Sequence, residues 1–327
     1  MIDIELLHSN PGFSIEIAHI LAKASKLAYK DEDAIKQTAK EWGFSDCQFF
    51  SVDETQGFIA SDSKAAVLSF RGSQSAGDWL IDIDVRTAER EYGAEKVIVH
   101  RGFARGYDSI VDTIQTILGD LPADRLWITG HSLGGALANL AAAGLLEFAD
   151  QVLGIYTYGQ PKVGRNSYDH LLKAAYKEKY FRIVNDTDLV PRLPRKYHHN
   201  GNILKFDADG NLPSDADGIV IINDDSWKSF PKDDGTTSRG LGTEESFEMD
   251  DEDELSDVEY ALLMAEVTAL MKVAELESAE FSDDEVGTRG IIKDKVLPFM
   301  RRTLESIPGV KEHDIQLYIE SIETNLG

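Results

Sequence analysis

The sequence predicts an α/β domain with a mostly parallel central sheet that is covered by helices on both faces. Short apolar runs typical of buried strands occur at residues 65–70, 125–129, 153–158 and 180–184. Helical patterns alternate with these runs, and such alternation favours parallel strands joined by crossover helices. A chain of 327 residues is long enough to bury the core of a domain of this kind.

The predicted helices lie between the strands, as the parallel arrangement requires. Residues 12–29 have apolar positions near a period of 3.6 and predict an amphipathic helix. Residues 136–149 are rich in Ala and Leu, and residues 168–179 have a helical pattern between the third and fourth strands. The order of elements therefore predicts a single domain over residues 1–327.

The charge of the chain is concentrated in its C-terminal third. Residues 1–206 have a net charge of -4, whereas residues 207–327 have a net charge of -21. This negative charge argues against nucleic acid or an anionic membrane surface as a partner. No apolar run reaches the roughly 18 residues that a membrane-spanning helix needs. The single Cys47 excludes an intrachain disulfide.

Residues 207–300 are predicted to form an acidic, partly flexible insertion. Within it, residues 244–259 contain ten acidic residues in 16 and no basic residue. An apolar helix is predicted at about 258–276. Its wide apolar face indicates a cap over a site or a dimer surface, and the alternative is a plain core helix behind a disordered loop. Residues 301–327 form the C-terminal segment.

A nucleophile motif stands between the second predicted strand and the Ala-rich helix. Residues 130–134 read Gly-His-Ser-Leu-Gly and satisfy the pattern G-x-S-x-G. The two glycines allow a sharp turn that exposes the hydroxyl of Ser132 at a helix N-terminus, where an oxyanion is favoured. A structural turn is the alternative, but the strand and helix on either side favour a nucleophile.

A serine nucleophile needs a base, and the base needs a carboxylate that orients it. On this type of fold the carboxylate and then the base follow the serine along the chain. Asp188 lies just beyond the strand 180–184, and Asp186 in the same loop is an equal choice. Three histidines follow Asp188: His198, His199 and His313. Spacing alone leaves the choice among them open.

At this point several blocks together resemble the class 3, or fungal-lipase-like, family of α/β-hydrolases. The resemblance covers most of residues 15–206 and returns near residue 313. The blocks are Phe70-Arg71-Gly72-Ser73 with Asp78-Trp79-Leu80 and Asp82, Val99-His100-Arg101-Gly102-Phe103, Thr129 to Ala136, Tyr158 to Gly164, and Asn185 to Pro191.

The resemblance implies roles for the candidate site residues. Ser132 is expected to be the nucleophile, Asp188 the acid, and His313 the base, because His313 precedes a segment with a Tyr as in the family. Leu133 and Ser73 are expected to form the oxyanion hole. Four other histidines are expected to be structural: His100 and His131 in these blocks, and His198 and His199 in the segment that resembles the family's strand after the acid loop.

The resemblance implies a carboxylic-ester hydrolase that acts on lipid esters, as a triacylglycerol lipase or esterase. Phospholipase A1 and feruloyl-type esterase activities are alternatives on the same fold, and a non-catalytic lipase-like scaffold is an alternative of a different class. No cofactor or metal is expected. The expected partners are the ester substrate, a transient lipid interface and a second copy bound through helix 258–276.

The sequence departs from the family in the placement of its base and in the features of secreted proteins, whereas the lid has a counterpart. His313 follows Asp188 by 125 residues, a wide separation that the acidic insertion fills. The family's lid corresponds to about residues 76–90. The chain also lacks a recognisable secretory signal at its start and a cysteine pair, so a cytoplasmic location is expected.

Two aspartate-rich stretches have a superficial likeness to a calcium loop. Residues 207–211 read Asp-Ala-Asp-Gly-Asn, and residues 215–218 read Asp-Ala-Asp-Gly. An EF-hand loop requires a third ligand before its glycine and a glutamate at position 12, and neither stretch has them. Turns in a polar loop are therefore predicted at both places.

Overall fold

The computed structural model describes residues 2–9, 12–73, 86–186, 188–194, 197–212, 310 and 313–326. The predictions for the acidic stretch 244–259, for the apolar helix 258–276 and for most of the lid fall outside these residues.

The described helices and strands largely follow the predicted order. Their bounds are α1 Ile15–Leu27, α2 Glu32–Trp42, β1 Asp46–Val52, β2 Thr55–Ser61, β3 Ala66–Phe70, β4 Thr87–Tyr92, β5 Glu95–His100, α3 Arg101–Asp108, α4 Val111–Asp120, β6 Leu126–His131, α5 Leu133–Gly144, β7 Val152–Tyr158, α6 Asn166–Tyr176, β8 Tyr180–Asn185, β9 Asn202–Phe206 and α7 Ile315–Thr324. Each strand and helix predicted within the described residues from residue 12 to residue 184 is present, with ends shifted by a few residues.

The central sheet has the strand order β1-β2-β3-β6-β7-β8-β9 in the described part of the chain. Strands β3, β6, β7, β8 and β9 pair in parallel, while β1 and β2 extend the sheet with antiparallel pairs. The predicted mostly parallel sheet is therefore confirmed. The carboxyl ends of β6, β7 and β8 lie side by side, and loops at such ends commonly hold a site.

Helices cover both faces of this sheet, and alternate strand residues face each layer. On β6, Ile128 is buried among residues of α3, α4, α5 and α6, whereas the adjacent Trp127 is buried among residues of α1, α2 and α7. This alternation is the two-residue period of a strand. Both sides of the strand are apolar because both sides are covered.

Helix α7 packs in the same apolar layer as α1, although the two are distant in sequence. Its buried residues are Ile315, Tyr318, Ile319 and Ile322. At the surface Glu323 accepts a hydrogen bond from His19 at 2.8 Å. Exposed ion pairs stabilise little, so apolar burial is the main force that holds α7 and the residues just before it in place.

A two-stranded hairpin, β4 with β5, was not predicted. Its register pairs Thr87 with His100 and Tyr92 with Glu95. Residues 87–90, the end of the range expected to form a lid, are therefore part of a paired strand. The exposed face of β4 is polar, and its half-buried face alternates Ala88 and Tyr92 with Arg90, so the apolar alternation is too weak to identify a strand.

A buried polar network around Asn139 ties α5 to the sheet and to α6. The side-chain amide nitrogen of Asn139 donates to the Tyr180 hydroxyl at 2.7 Å and also to the Asn200 side-chain oxygen. The Tyr168 hydroxyl donates to the Asn139 amide oxygen at 2.7 Å. These groups are shielded from water. If the Asn139 side chain is removed, its partners therefore lose hydrogen bonds that water cannot replace.

We expect Asn139→Ala to lower the free energy of unfolding by about 3 kcal/mol, because it leaves several buried polar groups unpaired. Urea denaturation followed by circular dichroism measures this loss. The exposed Asn166 at the start of α6 provides the control, since Asn166→Ala should change stability by no more than about 0.5 kcal/mol. Equal effects of the two substitutions would contradict the role of the network.

Candidate active site

Ser132 lies in a strained turn between β6 and α5. Its backbone has φ 60° and ψ -130°, in a region that residues with side chains rarely occupy. The surroundings hold it there, since the Ser132 N–H donates to the carbonyl of Tyr158 at 2.9 Å. The residue is only 2% exposed. The predicted sharp turn at the serine is therefore present.

The two glycines of the motif are required by close packing around this turn. A Cβ on Gly130 would lie 2.2 Å from the carbonyl oxygen of Gly134, and a Cβ on Gly134 would lie 2.3 Å from that of Phe70. Any side chain at either position would push α5 away from the sheet. The pattern G-x-S-x-G thus reflects a helix whose first turn lies directly on β3 and β6.

His313 and Asp188 form a buried pair. Their side chains are joined by a hydrogen bond of 2.7 Å between His313 Nδ1 and Asp188 Oδ2, and the two residues are 3% and 1% exposed. Because a carboxylate oxygen accepts, Nδ1 carries the proton and Nε2 has the free lone pair. His313 Nε2 is buried and has no hydrogen-bond partner among the residues that the structure describes. It is therefore available to accept a proton.

Asp188 is held by further hydrogen bonds. Its Oδ1 accepts from the backbone N–H of Val190 at 2.9 Å, and its Oδ2 accepts from the hydroxyl of Tyr318 at 2.5 Å. The same hydroxyl accepts from the backbone N–H of Asn185 at 3.2 Å. Tyr318 on α7 thus connects the end of β8 with the carboxylate, so that the helix that follows His313 also orients its partner.

The other histidines that follow the acid are placed differently. His199 donates from Nε2 to the carbonyl of Pro191 at 2.5 Å. Burial, together with the positive charges of Arg182 and Lys162, holds the pKa of His199 well below its usual range. A catalytic base must bear a positive charge in the transition state, which this environment opposes. The backbone N–H of His198 donates to the carbonyl of Gly164 at 2.7 Å.

Of the expected oxyanion-hole residues, Leu133 directly follows the nucleophile and Ser73 lies in the loop beside it. Leu133 is the first residue of α5, and the first N–H groups of a helix have no partner within it. A Cβ on Gly72 would lie 3.2 Å from Ser132 Cβ, so the loop 71–73 passes beside the serine. The half-buried Ser73 follows directly in this loop.

Three residues that surround the site were not assigned a role from the sequence. Tyr318 contacts the acid, Tyr29 contacts the histidine next to the nucleophile, and Gly159 lies against the acid and base together. The resemblance gave a signal for two of them, because Gly159 stands in the block Tyr158 to Gly164 and Tyr318 is the Tyr in the segment after His313. Tyr29 ends a helical stretch far from any motif, and no signal in the sequence marks it.

Within the described residues, no cluster of three or more His, Cys, Asp or Glu side chains could hold a metal ion. Asp207 stabilises a turn, since its Oδ1 accepts hydrogen bonds from the backbone N–H groups of Asp209 at 3.0 Å and Asn211 at 2.8 Å. The second aspartate-rich stretch, residues 215–218, is outside the described part. Among the helices described, none is both long and apolar enough to cross a membrane.

A doubly covered, mostly parallel sheet with a serine turn at the end of a strand defines the α/β-hydrolase class. Residues 67–198 match the family described as lipase (class 3). The matched range includes Ser132 and Asp188 and ends before His313.

Several lipases are similar to the chain. A triacylglycerol lipase of Arabidopsis thaliana is 27% identical over 248 residues, which cover 57% of this chain and 48% of the relative. A secreted mono- and diacylglycerol lipase of Penicillium cyclopium is 29% identical over 216 residues, which cover 63% of this chain and 67% of the relative. The chain thus spans about half the length of the plant relative.

The structural comparison agrees on the fold. A solved triacylglycerol lipase, reported to have a serine protease triad as its catalytic centre, matches with a TM-score of 0.52 and 23% identity. The match covers 63% of this chain and 89% of that lipase.

Proposed function

We propose that the protein is a serine carboxylic-ester hydrolase that acts on lipid esters, as a triacylglycerol lipase or esterase. The observation that carries this proposal is the buried pair of His313 and Asp188, whose unpaired Nε2 lies in the same site as the strained turn of Ser132. The family match and the names of the similar lipases support a lipid ester as the substrate.

In the first half of the proposed reaction, Ser132 forms an acyl-enzyme. His313 Nε2 accepts the hydroxyl proton of Ser132 as its Oγ attacks the ester carbonyl carbon. Asp188 stabilises the positive imidazole and keeps it in the required tautomer. The protonated His313 then donates its proton to the leaving alcohol as the C–O bond breaks.

In the second half, water replaces the alcohol. His313 accepts a proton from the water, the hydroxide attacks the acyl carbonyl, and Ser132 recovers its proton as the acid leaves. In both halves the Leu133 N–H and Ser73 donate to the oxyanion. Loss of one such donor typically costs about 3 kcal/mol of transition-state stabilisation.

The proposal is tested with a fluorophosphonate probe and with p-nitrophenyl esters whose acyl chains run from C2 to C16. We expect one probe per chain, attached to Ser132, and hydrolysis that favours the longer chains. Ser132→Ala is the control and should remain unlabelled. An unlabelled wild-type protein that hydrolyses no ester would favour the scaffold alternative instead.

We expect Tyr318→Phe to reduce kcat by about tenfold, because the Asp188 carboxylate loses one of its hydrogen bonds and is less firmly oriented. Ester hydrolysis measures the change. Tyr176→Phe is a matched control, since its hydroxyl also donates one buried hydrogen bond, to the carbonyl of Ala142 at 2.9 Å, on the opposite face of the sheet. A Tyr318→Phe variant with unchanged kcat would mean that Asp188 needs no support from α7.

A single-domain organisation over residues 1–327, with residues 301–327 contributing the base, is part of the proposal. The burial of α7 in the same apolar layer as α1 supports it. Dimerisation through helix 258–276 and a cytoplasmic location are further proposals. Sedimentation of the full chain tests the first, and cell fractionation tests the second.

A further inference from the structure

We propose that Tyr29 and His131 are positioning residues that lock the main chain of His313 to the nucleophile turn and to the oxyanion loop. This inference rests on the proposed function, because it assigns how the base of that site is held. Neither residue is proposed to touch the reacting atoms.

Two hydrogen bonds form the bridge. The Tyr29 hydroxyl lies 2.9 Å from His131 Nδ1, and His131 Nε2 lies 2.7 Å from the carbonyl oxygen of His313. A carbonyl oxygen only accepts, so the proton of His131 is on Nε2. Nδ1 is then an acceptor, and the Tyr29 hydroxyl donates to it. The two partners of His131 therefore select one tautomer.

The bridge connects segments that are far apart in the sequence. His131 directly precedes Ser132, and 182 positions separate His131 from His313. The Tyr29 hydroxyl also abuts the oxyanion loop, where a Cβ on Gly72 would approach it to 2.2 Å. One chain of contacts therefore runs from the oxyanion loop, through Tyr29 and His131, to the backbone of His313.

The bridge is also electrically neutral. The rings of His131 and His313 have centroids 4.6 Å apart, so a positive charge on His131 would oppose the imidazolium that forms on His313. Burial is the main cause that holds the pKa of His131 well below its usual range, and the charge of His313 lowers this pKa further. Burial likewise raises the pKa of Tyr29. His131 thus holds the base without competing with it for a proton.

Tyr29→Phe removes the donor while it keeps the ring over which Arg71 lies, at 6.0 Å from the centroid. We expect kcat for p-nitrophenyl esters to fall roughly tenfold with KM changed by less than about twofold, because the base is misplaced while the binding surface is intact. Tyr176→Phe is the control and should retain the wild-type kcat.

Two substitutions of His131 separate a hydrogen-bonding role from simple packing. His131→Phe keeps a ring but cannot donate, and kcat should fall by about a hundredfold. His131→Gln retains an amide donor that can reach the His313 carbonyl, and it should recover part of that loss. Equal kcat values for the Gln and Phe variants would overturn the proposal, as would a Tyr29→Phe variant with wild-type kcat.

A spectroscopic measurement tests the bridge without any ester turnover. Imidazole ¹⁵N NMR of the wild-type protein should show His131 with a protonated Nε2 and an acceptor Nδ1. The His313 Nδ1–H resonance should be sharp in wild type and exchange-broadened in Tyr29→Phe. A wild type that hydrolyses no ester would refute the proposed function alone, whereas the opposite His131 tautomer would overturn the bridge even in an active enzyme.

Discussion

His313→Ala and Ser132→Ala each reduce kcat by about 10⁴-fold or more, which is the largest effect we expect from any single substitution. Without the imidazole nothing accepts the serine proton, and without the serine no acyl-enzyme forms. The kcat of the double variant should be about equal to that of the less active single variant, because the two side chains act as one unit.

These rates are measured with the same ester series, and His199→Gln is the control. His199 is buried against Pro191 and beside two cations, so its replacement should leave the enzyme active. An active His313→Ala protein together with an inactive Ser132→Ala protein would show that another histidine is the base. Residues 301–327 would then be outside the catalytic unit.

Gly159→Ala should lower kcat by about a hundredfold or more, although the change adds one methyl group. Gly159 has φ +54°, and a Cβ there would lie 2.6 Å from His313 Cε1 and 2.9 Å from Asp188 Oδ2. Real contacts of this kind are longer, so the imidazole must move. A misplacement of about 1 Å is enough to cost roughly a hundredfold in rate.

The hairpin provides a matched control for this substitution. Gly93 has φ +61° and nothing within 4 Å of an added Cβ, so Gly93→Ala introduces the same backbone strain without the collision. Gly93→Ala should lose stability and keep its kcat. If both variants showed the same loss of kcat, strain rather than displacement of His313 would be the cause.

The features that could be predicted from the sequence are those set by local constraints. The turn at Ser132 is fixed by two glycines, a strand and a helix that are all within twenty residues of one another. The parallel strands β3, β6, β7 and β8 are apolar on both faces, so their composition alone identified them, whereas the short β9 was not identified in this way. Asp186 and Asp188 were both candidates because they follow closely after such a strand, and the resemblance to the class 3 lipases favoured Asp188.

The features that local pattern and spacing could not supply depend on distant parts of the chain, and His313 was expected only from the resemblance to the class 3 lipases. Spacing could not choose among three histidines, because the pairing of His313 with Asp188 is created by the packing of α7 on α1 and not by any nearby residue. Tyr29 is close to His131 only because α1 crosses the sheet at the nucleophile turn. A glycine is required at position 159 because the side chains of His313 and Asp188 approach it from two other loops.

The pairing of residues so distant along the chain also sets the order in which the enzyme becomes competent during translation. Ser132 and the oxyanion loop leave the ribosome long before His313, which follows His131 by 182 residues. At about 5–20 residues per second this interval lasts roughly ten to forty seconds. During that time the nascent chain has the proposed nucleophile without its proposed base, so the proposed ester hydrolysis is expected only after α7 is synthesised and docks on α1.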